Sequence, residues 1–438
     1  MDTYSRRRFI KTTGGALASA MTAGLGLNRQ SPGSPAERLS VGLIGCRNMG
    51  FGLLQHALKV PGVVCRGLCD VDRNVLEGRR RDVEKQTGET PPLYSDYRKL
   101  LEDQELDAVF IGTPDHWHCL QTIHALQAGK HVYVEKPLAR TITEGELIRE
   151  AARTYGKVVQ VGQHQRSGAH WQKVVGMIRD GHLGSLRTVR LWANFDYGKG
   201  PERLPDEPVP EGVDYDMWLG PAPKRPFNQN RFHGVWRFDW DYGGGLITDW
   251  GAHLLDIPLW ALEIDGPPQS VSSVGGIFSG EDRAIDMADT QSVVYQFEDV
   301  NMVWEHNGGL QTGPYERNYG LAFVGNRGTL VVNREGWQVI PERDGNQPLV
   351  REIPFRESGE GGHGAHVANF IDSIRTGAEL NCPVEAGRLS AFYGHIGNIA
   401  HRTDERLRWN EAGALIGRDR YEHLITPQYR SPWQLPRL

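Results

Sequence analysis

The chain has 438 residues, 39% of them hydrophobic and 24% charged, which is the composition of a globular protein with room for two domains. Its formal charge is −5, and it falls to −9 once the first 30 residues, with Arg6, Arg7, Arg8, Lys11 and Arg29 against Asp2, are set aside. A mildly acidic body argues against nucleic acid as a partner.

Ser5-Arg6-Arg7-Arg8-Phe9-Ile10-Lys11 stands directly before an apolar, Ala/Gly-rich stretch, 12–27. A pair of arginines in that setting is the pattern of a twin-arginine export signal. The stretch is rich in Gly and Thr and is a poor permanent membrane span. Residues 1–30 are therefore expected to be a signal segment handled by the twin-arginine export machinery. The protein is expected to be periplasmic or otherwise exported. That route carries folded proteins, and the periplasm keeps no pool of soluble NAD(P). A dinucleotide enzyme sent there is expected to carry its cofactor and regenerate it in place.

Five cysteines, Cys46, Cys65, Cys69, Cys119 and Cys382, form no disulfide framework. Cys65 and Cys69 share a predicted strand that separates them by about 13 Å, too far for a bridge. Buried free thiols are expected.

Short apolar runs at 39–45, 63–69, 108–112, 131–134 and 158–162 alternate with helical patterns at 50–59, 73–87, 118–128 and 143–155. Alternation of this kind predicts a parallel sheet with right-handed crossovers. Beyond residue 162 the pattern changes. Longer alternating strands are predicted at 185–194, 269–278, 290–297, 301–306, 321–325 and 328–333, typical of an antiparallel sheet with one covered face. A Pro-rich stretch, 201–226, interrupts them as a long excursion. Two helices, 363–376 and 384–403, are expected to pack back on the body.

The turn after the first strand reads Gly45-Cys46-Arg47-Asn48-Met49-Gly50. Gly45 and Gly50 hold the first and last places of a GxGxxG turn, where a helix N-terminus receives a pyrophosphate. The middle place is Arg47, whose guanidinium could contact a phosphate directly. Asp70 ends the second strand, where a carboxylate accepts hydrogen bonds from the adenosine ribose. That favours NAD, with Arg73 near enough to leave NADP open.

Three further signatures follow in order. They are Thr113-Pro114-Asp115-His116-Trp117-His118, then Glu135-Lys136-Pro137, then Gly243-Gly244-Gly245 leading to Asp249 and His253. Together they resemble the Gfo/Idh/MocA oxidoreductases, the group named for glucose–fructose oxidoreductase and inositol dehydrogenase. The resemblance covers about residues 39–403, and the missing middle glycine is its main departure. It implies an α/β Rossmann domain, 39–162, and an α+β domain with a large, mostly antiparallel sheet, 163–403, followed by a tail, 404–438. It also implies that Lys136 lies beside the nicotinamide and that Asp249 and His253 face the substrate. The expected cofactor-binding set is Gly45, Arg47, Asn48, Met49, Gly50, Asp70, Thr113, Pro114, His118, Glu135 and Lys136.

The chemistry of these residues agrees. Oxidising a carbinol needs a base for the hydroxyl proton, and an imidazole titrating near neutrality, His253, suits it. Positions 249 and 253 share a helix face. Lys136 can stabilise developing alkoxide. Arg166 is expected either to contact substrate or to form an interdomain salt bridge. His116, His118 and His164 match no metal template, and no metal is expected. Trp218, Trp236, Trp240 and Trp250 cluster near the presumed cleft, where aromatic faces suit sugar rings.

The leading expectation is a periplasmic oxidoreductase acting on a carbinol of a sugar, glycoside or cyclitol. An NAD-dependent glycoside-cleaving or epimerising enzyme is the alternative, although family members with that chemistry tend to lack the EKP lysine. A non-catalytic sugar-binding protein is a third. A homo-oligomer is expected from the exposed face of a large sheet.

Overall fold

The apolar run at the start of the first domain forms β1 (Leu39–Ile44), a central strand of a six-stranded parallel sheet. The computed structural model describes residues 38–358 and 361–438, so the expected signal segment lies outside the described residues. After β1 come α1 (Asn48–Ala57), β2 (Val63–Cys69), α2 (Arg73–Thr87), β3 (Leu93–Tyr94), α3 (Tyr97–Leu101), β4 (Ala108–Ile111), α4 (Asp115–Gln127), β5 (His131–Val134), α5 (Ile142–Tyr155) and β6 (Val159–Val161). Sheet order is β3-β2-β1-β4-β5-β6. The order reverses between β1 and β4, which is where doubly wound sheets bind their ligands.

Local chemistry sets the helix ends. Asp72 caps α2 by accepting from the amides of Asn74 and Val75. Thr141 and Glu144 close a capping box on α5. The helix expected from residue 118 starts earlier, at Asp115, because the extended Pro114 is its N-cap. β3 and α3 were not expected. A two-residue strand behind Pro91-Pro92 is too short to show a period.

The second domain opens with α6 (Ala169–Arg179) and β7 (Leu186–Ala193), then α7 (Tyr215–Leu219) inside the long excursion. Three consecutive helical segments follow, α8 (Leu246–Asp249), α9 (Gly251–Leu254) and α10 (Asp256–Ala261). Next are β8 (Ser270–Gly276), β9 (Thr290–Gln296), β10 (Asn301–Asn307), β11 (Tyr319–Gly325), β12 (Gly328–Val332) and β13 (Gly336–Pro341). A small ribbon, β14 (Arg343–Asp344) and β15 (Gln347–Pro348), precedes β16 (Ile353–Glu357). The chain ends with α11 (His363–Thr376), α12 (Val384–Thr403), β17 (Leu407–Arg408) and α13 (Glu422–Ile425).

The nine-stranded sheet has the order β16-β13-β12-β11-β7-β10-β9-β8-β17. Its pairs are antiparallel except β7 with β10, which run parallel. A parallel pair needs a long crossover, and the chain between these two strands supplies one. One face packs Leu321, Phe323, Trp304 and Tyr295 against Trp171, Leu259, Tyr393 and Ile396 of the helices. On the other face Val274 and Val294 are exposed. No helix among the described residues is long and apolar enough to cross a membrane. All five cysteines are free and buried.

The two terminal helices join the domains. Val367, Phe370 and Ile371 of α11 pack with Leu54, Phe110 and Tyr133 of the Rossmann domain. In the structure the excursion extends over the whole segment between β7 and α8, and it reaches back as well. Arg73 N–H donates to Gly212 O at 2.9 Å, Asp214 N–H to Val71 O at 2.9 Å, and the His233 ring meets Asp72 Oδ2 at 2.8 Å. Its aromatic residues, among them Tyr215, Trp218, Phe227, Phe232 and Trp236, form a core of their own. Beyond residue 403, β17 adds an edge to the sheet, and Tyr429 donates to Glu144 Oε1 at 2.6 Å.

The closest approach in the first domain is between α1 and the ends of β1 and β4. A Cβ at Gly50 would lie 2.0 Å from Gly45 O, and one at Gly112 would lie 2.6 Å from Gly50 Cα. Gly50→Ala is expected to cost about 3 kcal/mol of stability, the upper range for overpacking a tight contact. Chemical denaturation checks this, and Gly52→Ala on the same helix, with open space at its Cβ, serves as the control.

Candidate active site

A cavity of about 320 Å³ runs from the Rossmann turn to α8 and α9. At one end is the glycine turn. Gly45 has φ +86°, and a Cβ there would meet the Gly112–Thr113 backbone at 2.8 Å. Arg47 is the N-cap residue of α1, and it lines the cavity with Gly45, Asn48 and Met49. A cradle that admits only glycine, a helix N-terminus and a guanidinium fit the pyrophosphate of a dinucleotide. Gly50 contributes by close packing and lies outside the lining.

Asp70 lines the same end. Its Oδ2 accepts the Cys46 N–H at 2.7 Å, and Oδ1 accepts the Asp72 N–H at 3.0 Å. Burial pushes its carboxyl up to about 6 against the pull of those amides. The residue therefore holds the turn in shape as well as facing the ribose end. Arg73 pairs with Glu77 at 2.9 Å on an exposed helix face and is not part of the lining.

The other end is built from both domains. Lys136, just after β5, donates from Nζ to Asp249 Oδ1 at 2.6 Å and to Asp249 O at 3.0 Å. Both side chains are largely buried, at 10% and 14% exposure. Arg237 Nε lies 3.1 Å from the same carboxylate oxygen. Burial alone would raise the Asp249 carboxyl, but Lys136 and Arg237 overcome it and hold the group well below the usual carboxylate range.

His253 sits one turn beyond Asp249, buried, with its Nδ1 unpartnered. Burial, then Lys136 and Arg334, push its pKa well below the ordinary imidazole value. The expectation of a ring titrating near neutrality is thus corrected: its surroundings disfavour the imidazolium. Beside Lys136, burial drives Glu135 up to about 7. Burial also raises Asp115, a cavity residue near Lys136 and Arg237, well above the ordinary carboxyl value.

The structure brings most of the expected set together. Thr113, Pro114, Glu135, Lys136, Asp249 and His253 line one space with the glycine turn. Besides Gly50, two expected residues are outside the lining. Arg166 forms a buried bidentate pair with Asp256, Nε to Oδ2 at 2.7 Å and Nη2 to Oδ1 at 2.8 Å, and does not face the cavity. Asp256 engages Nε and Nη2, and the guanidinium lies over the Trp260 ring, 5.2 Å away, outside the cavity lining. His118 ties the two loops instead, with Nδ1 2.8 Å from Pro137 O and Nε2 2.9 Å from Thr113 O.

Trp218, Trp236 and Trp250 line the cavity. Trp240 instead lies under the Arg402 guanidinium, 4.3 Å away. Arg237, His233 and Arg334 were missed. Arg237 sits on an irregular turn, and Arg334 follows β12, so no local period marks them. Among the described residues no group of three or more His, Cys, Asp or Glu is arranged to hold a metal ion.

A parallel-sheet nucleotide domain whose cavity is completed by a second, sheet-based domain defines a two-domain dinucleotide-dependent oxidoreductase fold. Two family profiles match, and together they cover more than half of the chain. The first is an oxidoreductase family, NAD-binding Rossmann fold, over residues 39–163, and the second its C-terminal alpha/beta domain over residues 170–309. The chain belongs to the Gfo/Idh/MocA oxidoreductase family, and its nucleotide domain is the NAD-binding one.

An alpha-N-acetylgalactosaminidase of Shewanella oneidensis is 30% identical over 206 residues, 42% of this chain and 45% of that protein. The match thus spans under half the length of that curated relative. Among solved structures, an aldose-aldose oxidoreductase from Caulobacter crescentus complexed with glycerol superposes with a TM-score of 0.64 at 18% identity, covering 85% of this chain and 99% of that one. A levoglucosan dehydrogenase in complex with NADH and levoglucosan superposes with a TM-score of 0.64 at 20% identity, with the same coverage. These likenesses show the fold.

Glu135 yields a pH prediction. Its folded pKa, about 7, stands above the ordinary 4.5, because burial favours the neutral acid. Its contribution to stability is therefore fully present below 4.5 and is lost as pH rises toward about 7. Glu135→Gln stays neutral and escapes that loss. The variant should gain on the wild type in thermal unfolding from about pH 5 to about pH 8, by up to about 3 kcal/mol. A constant gap across that range would show that Glu135 does not titrate there.

Proposed function

We propose that the protein is an exported oxidoreductase that moves hydride between a tightly held NAD and a carbinol carbon of a sugar, glycoside or cyclitol. One observation carries this reading: the Gly45 turn, Lys136, Asp249 and His253 line a single cavity. The dinucleotide, when bound on the Gly45–Gly50 turn, supplies the hydride acceptor. Lys136 presents an ammonium that hydrogen-bonds the reacting oxygen and favours alkoxide character. Asp249, pinned between Lys136 and Arg237, keeps that ammonium aimed. His253 lines the cavity as an imidazole whose surroundings disfavour its charged form, placed to accept the hydroxyl proton. Trp218, Trp236 and Trp250 add apolar wall to the space a sugar ring would enter.

Tight retention of the cofactor is supported by the excursion, which bridges to the Rossmann domain at Val71, Asp72 and Arg73 beside the ribose end. Export rests on the Arg6-Arg7 pattern. Association into a homo-oligomer rests on the exposed face of the nine-stranded sheet, where Val274 is 69% exposed.

A second reading, glycoside cleavage through transient oxidation with no net redox change, is favoured by the name of the Shewanella relative. The presence of Lys136 weighs toward net oxidoreduction. The two readings separate when a sugar and its aryl glycoside are offered side by side. Net change in the bound cofactor supports the first, and aryl release without it the second.

The assignment is tested by denaturing the purified mature protein and identifying the released dinucleotide by mass spectrometry, with near one-to-one content expected. His253→Ala should lower turnover by roughly two to four decades. Its dinucleotide content should stay at the wild-type level. Because the imidazolium is disfavoured, the wild-type rate profile should show no limb from this imidazole near neutrality. Near-normal turnover in the variant would transfer the base role to another group and leave Asp249 and His253 as a structural pair.

A further inference from the structure

The carbohydrate end of the cavity holds one cation that no carboxylate answers. Arg334 follows β12 and lines the cavity with Lys136, Asp249 and His253. Its Nε donates to Gln165 Oε1 at 3.1 Å, and Nη2 lies 3.5 Å from His164 Nε2. Its Cζ lies 4.8 Å over the Trp250 ring. These partners, an amide, an imidazole and an indole, are all neutral. Burial pushes the pKa of His164 well below its ordinary value, so that ring adds no charge.

The nearby acids are already engaged. Asp249 is held by Lys136 and Arg237. Glu335, the next residue, accepts from the Tyr319 hydroxyl at 2.7 Å. Among the described residues Arg334 therefore has no ion pair, and burial lowers its pKa. Arg334 is half-buried, and a guanidinium partly withdrawn from water with no ion pair gains when an anion meets it.

We propose that Arg334 receives a carboxylate on the substrate, so that the carbohydrate is a sugar acid of the hexuronate kind. The proposal rests on the oxidoreductase reading of this cavity and names its substrate class. A guanidinium pairs with a planar carboxylate through parallel N–H bonds, and Nη1 is free to share in one. The stack on Trp250 fixes the plane of that fork against the wall of the cavity. One free cation matches one carboxylate. Lys136 and Arg237 both reach Asp249, so Arg334 is the cation of this end whose fork faces no carboxylate.

The test is calorimetric binding to the purified holoprotein, with D-glucuronate and D-galacturonate compared with D-glucose and D-galactose at matched ionic strength. The acids should bind about ten- to hundred-fold more tightly than their neutral counterparts, the scale of a charge-assisted hydrogen bond. Arg334→Gln should erase that preference, bringing the ratio of acid to neutral affinity down to about one. Arg334→Lys, which keeps the charge but not the fork, should restore part of it. Absorbance of the bound cofactor is followed in the same samples. Acid-selective binding without any change in cofactor redox state would support the carboxylate contact and count against the oxidoreductase reading. Wild-type protein that binds no acid, or binds acids and neutral sugars equally, overturns the proposal whatever the cofactor does. Equal weakening of both classes by Arg334→Gln overturns it too.

Discussion

The ion pair between Lys136 and Asp249 is the contact on which the rest of the site depends. It joins the end of a Rossmann strand to the first helical segment behind the triple glycine, at 2.6 Å and largely out of water. Bringing two opposite charges into such a place costs desolvation energy, and only close geometry with added hydrogen bonds offsets it. The structure supplies both. Lys136 also donates to the Asp249 carbonyl, and Arg237 reaches the same carboxylate oxygen. A contact of this kind tolerates little drift, so it sets the distance between the nucleotide domain and the sheet domain across the cavity. It also keeps Asp249 ionised, which keeps Lys136 oriented.

A second constraint is steric. Gly45, Gly50 and Gly112 meet where β1, α1 and β4 converge, with room for no side chain. That convergence brings the N-terminus of α1 to the cavity. It also explains why replacement of the middle fingerprint glycine by Arg47 is tolerated. Arg47 has extended backbone angles, φ −87° and ψ 167°, which any residue can adopt. Its side chain points to the cavity and not to the packed contact. The excursion then covers this end by bridging to Val71 and Arg73. A Cβ at Gly220 in that excursion would lie 2.1 Å from the Trp117 ring, so its fit against α4 is also close.

The Rossmann half was legible because its strands are buried on both faces and end in glycine or an acid, which leaves short apolar runs in the sequence. Lys136, Asp249 and His253 were legible because each sits in a compact signature. Arg166 misled for a physical reason: an arginine after a strand at a domain seam looks the same in sequence whether it faces a ligand or a buried Asp256. His118 misled in the same way, since its helix starts at Asp115 and turns the ring toward two carbonyls. Arg237 and Arg334 left no trace, because each enters the cavity from a turn far along the chain. The pKa of His253 was also hidden. It depends on burial and on Lys136 and Arg334, which only the fold brings near.

Taken together, the charges divide the cavity into unlike ends. The ribose end carries Asp70 and, just behind it, Asp72, whose Oδ2 meets the His233 ring at 2.8 Å. The turn between carries Arg47. The far end carries Lys136, Arg237 and Arg334 against the single firmly ionised carboxylate of Asp249, because burial holds Asp115 and Glu135 toward their neutral forms. A dinucleotide has hydroxyls at its adenosine ribose and negative charge at its pyrophosphate, and this sequence of donors and acceptors matches it in one direction only. Beyond it the far end remains net positive. In a half-enclosed cavity such an excess acts over several ångströms. Such an excess favours any group there that becomes more negative, which is the demand an alkoxide would make.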